Sequence, residues 1–263
     1  MSHLKDKVIA ITGSSRGIGL ATALRAAKDQ ANIVIMGKSD EPHPKLDGTI
    51  YTAAKAVEAA GGNALPIKID IRDEANIIEA FSTIEKTFGR LDALINNASA
   101  INTLTVEQLN SKQYDLMHQI NGRGSFLCAK YAIPLLKQST HPHILNDSPP
   151  LELMDQYFGN MGSGYVGAKM LMSIWTKTMS KELKPYGIAV NSIWPSTAIA
   201  TAAIKNLMPG LLKGSRKPEI VADATYHIIT QNDVFRTGEF FIDEKVLSEN
   251  GVDDLSIYAT EFY

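Results

Sequence analysis

A length of 263 residues with 44% apolar and 21% charged side chains suits a single α/β domain, residues 1–263, with a sizeable core. A formal net charge of -2 without any run of Lys and Arg excludes a nucleic-acid footprint, and the lone Cys128 excludes an intrachain disulfide and argues against a cysteine zinc site. No stretch approaches the ~18 consecutive apolar residues of a membrane span, and the polar start Met1 to Lys7 does not read as a signal segment, so the expectation is a cytoplasmic protein without membrane partners.

The apolar run Val8 to Ile11 predicts a first strand, followed by Thr12-Gly13-Ser14-Ser15-Arg16-Gly17-Ile18-Gly19 and then a helical pattern. Strand, glycine turn and helix is the order that a phosphate site requires. Gly13 permits a sharp turn, Gly17 clears a side chain from the path of a pyrophosphate, and Gly19 lets the helix sit close to the sheet. The unpaired N–H groups at the helix start would face the anion. A helix from Gly17 to Asp29 and a strand from Ala31 to Met36 complete a β-α-β unit. In such units a carboxylate ending the second strand bonds the adenosine ribose and repels a 2′-phosphate. Here the strand ends Met36-Gly37-Lys38-Ser39, with no acid before Asp40, and Arg16 sits in the glycine turn. Those two cations favour NADP over NAD.

Ser39 to Ile50 reads as a loop in which His43 and Lys45 are within reach of a phosphate but are expected in solvent. A helix from Tyr51 to Ala60 and a strand from Ala64 to Ile69 follow. Asp70 at that strand's carboxyl end can accept from an adenine amino group or cap the helix beginning near Asp73. The helix Glu74 to Phe88 and the strand Leu91 to Ile95 lead to Asn96-Asn97-Ala98-Ser99, whose amides can bond backbone across neighbouring loops. One long helix is predicted from about Val106 to Lys137, bent near Gly122 and Gly124, with Asn121 just before the bend. The strand His143 to Asn146 ends at Asp147-Ser148-Pro149-Pro150. His141 and His143 flank Pro142 with no third ligand nearby, so no metal is expected.

Ser163 opens a helix running to about Leu183, in which Tyr165 and Lys169 stand one turn apart on one face. A phenol with its usual pKa near ~10 needs a drop of ~2 to 3 units to shuttle protons near neutrality. A cation ~5 Å away supplies ~3 kcal/mol at an effective dielectric of ~20, and under 1 in bulk water. The pair therefore works only where water is largely excluded. A strand from Gly187 to Ile193, an apolar helix-prone stretch from Ala198 to Leu212, a helix from Pro218 to Thr230 and a strand from Gly238 to Ile242 complete seven parallel strands. The tail from Asp243 is acidic and carries no signal. Leu151, Leu153, Met154, Tyr157, Phe158 and Met161 form a second apolar stretch that, like Ala198 to Leu212, can close over a greasy substrate, pack in the core or meet another subunit.

The pieces Thr12 to Gly19, Asp70, Asn96-Asn97-Ala98, Asn121, Tyr165 with Lys169 and Asn191-Ser192-Ile193-Trp194-Pro195 together resemble the short-chain dehydrogenase/reductase family over nearly the whole chain. The resemblance implies a doubly wound Rossmann sheet of seven parallel strands with helices on both faces. It implies Tyr165 as general acid and base toward a carbonyl or alcohol, Lys169 as the group that lowers its pKa and bonds the nicotinamide ribose, and Asn121 as holder of a relay water. The coenzyme would lie on Gly13, Ser15, Arg16, Gly17, Ile18, Gly19 and Lys38, with Asp70, Ile71, Asn97 and Ala98 on the adenosine side and Pro195 and Ala198 near the carboxamide. It also implies a homodimer or homotetramer. Three departures stand out. The usual second Ser after the fifth strand is Pro149, which cannot donate a hydrogen bond, leaving Ser148, seventeen positions before Tyr165, as a substitute if its loop turns inward. Ser99 replaces the usual Gly, and Ser196 replaces another. The reading is an NADP-dependent carbonyl reductase or alcohol dehydrogenase for an apolar, acyl or steroid-like substrate. A non-catalytic NADP-binding sensor or scaffold is the alternative that Pro149 raises, and a sugar-nucleotide epimerase would need a larger C-terminal domain.

Overall fold

Strands β1 (Val8–Thr12), β2 (Asn32–Gly37), β3 (Asn63–Lys68), β4 (Ala93–Asn96), β5 (His143–Asp147), β6 (Ala189–Trp194) and β7 (Phe240–Ile242) form a parallel sheet in the order β3-β2-β1-β4-β5-β6-β7. Between and after them run helices α1 (Gly17–Ala27), α2 (Ile50–Ala59), α3 (Glu74–Phe88), α4 (Ser111–Met117), α5 (Ser125–Leu136), α6 (Ser163–Leu183), α7 (Ala202–Leu207), α8 (Glu219–Ile229) and α9 (Asp243–Glu249). This is the doubly wound α/β architecture expected from the alternation of short apolar runs with helical patterns. Strands β1, β4 and β6 are buried at every position, as strands covered on both faces must be. The computed structural model describes residues 3–44, 46–152, 161–231 and 236–261. Lys45 and the apolar Leu153, Met154, Tyr157 and Phe158 lie outside the described residues.

The chain groups into two compact units, the first comprising Met1–Lys68, Ile193–Asn232 and Phe241–Tyr263. In it β1 pairs with β2 from Val8 opposite Asn32 to Thr12 opposite Met36, and β2 pairs with β3 from Asn32 opposite Asn63 to Gly37 opposite Lys68. Helix α2 starts on a capping box in which Thr49 and Thr52 satisfy each other's backbone N–H. Helix α8 is tied to α1 where Arg25 Nε bonds Asp223 at 2.9 Å and the guanidinium lies 3.4 Å over the Tyr226 ring. Two expectations are corrected in this unit. The stretch Ala198 to Leu212 is not one helix: Thr201 caps the short α7, and Pro209 opens a separate 3-10 turn, Pro209–Leu211. The tail from Asp243 is not featureless, because it forms α9 and a 3-10 turn, Leu255–Tyr258, around a fully buried Asp243.

The second unit comprises Ile69–Ser192 and Asp233–Phe240. Asp73, not Asp70, caps α3 by accepting from Ala75 N, and Gly89, with φ 69°, ends that helix in the left-handed region. The long helix expected from Val106 starts later, and where a bend is expected near Gly122 and Gly124 it carries a π-helical turn. Asn110 and Gln113 form a capping box that starts α4 only at Ser111, leaving Val106 80% exposed before it. A π-helical turn, His118–Gly124, then joins α4 to α5. A Cβ on Gly124 would lie 2.9 Å from both the side chain and the carbonyl oxygen of Ile71, so only glycine allows this approach. Strand β4 pairs with β5 from Ala93 opposite His143 to Asn96 opposite Asn146. The two amides at the ends of that register are satisfied in a buried chain: Asn96 Nδ2 donates to Asn146 Oδ1, and Asn146 Nδ2 donates to Thr176 Oγ1, each at 2.9 Å.

Candidate active site

In the first unit the chain leaves β1 through Gly13, whose φ of 68° is open to glycine, and whose N–H donates to the Met36 carbonyl at 2.7 Å. Ser14 ties the turn to both strands, donating to the Ile11 carbonyl at 2.7 Å and accepting from Met36 N at 3.1 Å. Ser15 is buried. Gly17 also has positive φ, 58°, and a Cβ there would sit 3.3 Å from Thr201 Cγ2. Helix α1 begins with Arg16 at its N-cap making no side-chain cap and with no acid in its first turn, which leaves its N–H groups and positive end for an anion. This donor set can hold a phosphate.

Arg16 takes a part that its place in the sequence does not reveal. Its Nε donates to the Asp47 carbonyl at 2.8 Å and its Nη2 to the Gly48 carbonyl at 2.7 Å, so the guanidinium fastens the loop before α2 to the glycine turn. Gly48 is pressed so close that a Cβ would lie 2.6 Å from the Ser15 carbonyl oxygen. Lys38, past the end of β2, is exposed. Asp40, the first acid after β2, is bonded by Lys68 at 2.7 Å, which holds its carboxyl below the ordinary carboxylate range. Pro195 and Ala198 follow β6, and the Ser196 N–H between them donates to the buried Asp243 carboxylate at 2.8 Å.

In the second unit Asp70 is taken by a neighbour two residues on, since Arg72 Nε donates to its two oxygens at 2.9 and 3.0 Å. Ile71 is buried against Gly124, and Asn97 and Ala98 are half-buried beyond β4. Tyr165 and Lys169, on one face of α6, are 6% and 1% exposed. Lys169 Nζ donates to the Asp147 carbonyl at 2.7 Å and lies 3.5 Å from the Asp147 carboxylate, so the ammonium is balanced at the end of β5. Burial pushes Lys169 below its ordinary value and Asp147 opposes that shift. Tyr165 is pushed upward, first by burial and then by Asp147, while a hydrogen bond from Ser99 pulls it down. Burial is the largest influence on the Tyr165 phenol and raises it.

Asn121 is fully buried in the π-helical turn and clamps Ala100 reciprocally, accepting from its N–H and donating to its carbonyl, both at 2.8 Å. Ser148 is fully buried, and its Oγ has no hydrogen-bond partner among the described residues. The Pro149 carbonyl beside it accepts from the Ser173 hydroxyl at 2.6 Å. Asp147 is not among the residues that the sequence singles out, although it meets Lys169. The signal for Asp147 was its acid character at a strand's carboxyl end.

The sequence profile of the short chain dehydrogenase family matches residues 7–210. Hydroxysteroid dehydrogenase-like protein 2 of Xenopus laevis is 51% identical over 250 residues, covering 95% of this chain and 59% of that protein. The chain thus spans about three-fifths of that relative's length. A crystal structure from Xanthomonas campestris superposes with a TM-score of 0.94 at 46% identity, covering 98% of this chain and 95% of that one. A short chain dehydrogenase from Mycobacterium thermoresistibile superposes with a TM-score of 0.90 at 45% identity, covering 97% and 91%. The profile match over most of the chain and these identities agree with the glycine turn, the buried Tyr165 and Lys169 and the parallel sheet, and the chain belongs to the short-chain dehydrogenase family.

Proposed function

We propose that the chain is an NADP-dependent oxidoreductase that interconverts a carbonyl and an alcohol on an apolar, acyl or steroid-like substrate. The observation that carries this reading is the burial of Tyr165 and Lys169 on one face of α6, with the Lys169 ammonium held by Asp147. A buried phenol kept protonated is a proton donor held ready for an oxygen that gains charge, and exclusion of water strengthens every such contact. When bound, the nicotinamide supplies or takes the hydride. Gly13, Ser15, Gly17, Ile18 and Gly19 would hold the pyrophosphate on the N–H groups at the start of α1. Lys169 would bond the ribose hydroxyls, Asp70, Ile71, Asn97 and Ala98 would line the adenosine side, and Pro195 and Ala198 would meet the carboxamide. Asn121, through the Ala100 clamp, holds the loop after β4, and Ser148 brings a buried hydroxyl to the end of β5.

The preference for NADP is supported by Lys38, exposed past the end of β2, and by the engagement of Asp40 with Lys68, which leaves that acid occupied. The name of the Xenopus laevis relative supports a hydroxysteroid-like substrate class. Self-association as a homodimer or homotetramer is part of the reading, supported by exposed apolar side chains on α5 and α6, Phe126 at 41% and Ile174 at 48%. A cytosolic site is supported by a lone, buried Cys128. The test is oxidation of NADPH and NADH by the purified chain over a panel of ketones and 3-oxoacyl substrates, with Tyr165→Phe as control. Turnover preferring NADPH and lost in the variant is expected. Tight coenzyme binding with no turnover on any substrate would favour the sensor role instead.

A further inference from the structure

Arg16, the N-cap residue of α1, turns its guanidinium toward backbone. Nε donates to the Asp47 carbonyl at 2.8 Å and Nη2 to the Gly48 carbonyl at 2.7 Å, so the Nε–Nη2 edge, the kind of fork that grips two phosphate oxygens, holds two successive carbonyls of the loop before α2. The joint is close as well as polar. Gly48 has φ 89°, and a Cβ there would lie 2.6 Å from the Ser15 carbonyl oxygen and 3.9 Å from Arg16 Cβ, so glycine is required twice over. Beyond the joint Thr49 and Ile50 are buried, and Thr49 N donates to Thr52 Oγ1 at 2.8 Å and Ile50 N to the Ser39 carbonyl at 2.9 Å. Ile50 in turn packs on the end of β2, where a Cβ on Gly37 would sit 3.3 Å from Ile50 Cγ2 and 4.0 Å from Ser15 Oγ. The glycine turn, the end of β2 and the start of α2 are thus locked together around Ser15 and Arg16.

Resting on the reading of this turn as the coenzyme site, we propose that Arg16 is a positioning residue for the coenzyme, acting through the Asp47 and Gly48 carbonyls to hold the backbone from Ser15 to Gly17 in place, and that it serves NADPH and NADH alike. A role as the cation on a 2′-phosphate asks for the same edge of the guanidinium that the two carbonyls already hold. Charge alone does not make this joint. Two carbonyls on successive residues need donors at a fixed spacing, which a planar fork has and an ammonium lacks. The N–H groups at the start of α1 meet an anion only in the orientation that the turn gives them, so a loosened joint weakens the hold on the pyrophosphate that both coenzymes carry. Selection by the 2′-phosphate then falls to Lys38, exposed past the end of β2.

Fluorescence titration with NADPH and with NADH tests this, on the full chain and on Arg16→Ala, Arg16→Lys and Gly48→Ala, beside hydrogen exchange of peptides containing Thr49 and Ile50 without nucleotide. Arg16→Ala raises Kd for both coenzymes by the same factor, about 10-fold or more, since two hydrogen bonds from a charged donor are lost. Arg16→Lys, which keeps the charge and loses the fork, restores little of it. Gly48→Ala has the same effect, and combining it with Arg16→Ala brings little further loss, because both break one joint. Exchange at Thr49 and Ile50 quickens in every variant. A loss confined to NADPH overturns the proposal, and its restoration in Arg16→Lys identifies Arg16 as a phosphate ligand. Unchanged affinity for both coenzymes in Arg16→Ala overturns it whatever the exchange, and so does unchanged exchange. A parent chain that binds neither coenzyme, with exchange quickened in the variants, overturns the proposed function instead and leaves Arg16 a structural clamp.

Discussion

Replacing Asp243 by Asn removes a buried charge while keeping its shape, and the consequence is a change in how stability depends on pH. Asp243 is fully buried, its Oδ1 accepts from Ser196 N and Glu244 N at 2.8 Å each, and its Oδ2 has no partner among the described residues. Burial pushes its carboxyl up to about 6 from an ordinary 3.8. An acid whose folded value is raised stabilises the fold fully below its unfolded value, and that contribution is lost as pH rises through the folded value. The window is therefore pH 3.8 to about 6. A rise of that size corresponds to about 3 kcal/mol. Asn keeps the two accepted bonds through Oδ1 and does not titrate, so the stability of Asp243→Asn relative to the parent should rise by about 2.4 kcal/mol between pH 4 and pH 7. Against this, an unpartnered amide N–H costs about 1–3 kcal/mol at every pH, so the change with pH is the robust quantity. Urea denaturation of both proteins at several pH values measures it. A constant difference across the window, or one that falls with rising pH, would refute the reasoning. The residue matters to the site because it pins Ser196 immediately after Pro195.

Asn121→Ala should cost about 2–4 kcal/mol in the same denaturation experiment, since it leaves both backbone groups of Ala100 without their clamp. Lys38→Glu should weaken NADPH binding by about 10-fold or more and leave NADH binding nearly unchanged, read by coenzyme fluorescence. Cys128 is fully buried with its thiol pushed up to about 12, so iodoacetamide at pH 8 should not label it until the chain is unfolded, as mass spectrometry can show.

The elements most readily read from the residues were those specified locally. The glycine turn, the start of α3 at Glu74 and the span of α6 follow from turn chemistry, caps and apolar spacing over a few neighbours. The π-helical turn falls where the bend near Gly122 and Gly124 is expected, whereas the packing of Gly124 on Ile71 joins residues far apart in the chain and has no local signal. Lys169 could be placed one turn from Tyr165 by spacing alone, yet spacing does not say that Asp147 neutralises it. Arg16 looked like a phosphate ligand, and the carbonyls of Asp47 and Gly48 that it bonds carry no side-chain signal at all.

The proposed chemistry rests on Tyr165 giving a proton to an oxygen whose carbon receives hydride from NADPH. The direct measurement is transfer of deuterium from NADPH labelled at C4 to the carbinol carbon of the product, in the parent chain and in Tyr165→Phe, with coenzyme affinity measured for both. Label in the product of the parent, loss of transfer by about 100-fold or more in the variant and equal NADPH affinity are the predicted results. Equal transfer by the two proteins, or no labelled product from the parent with any ketone, would contradict it.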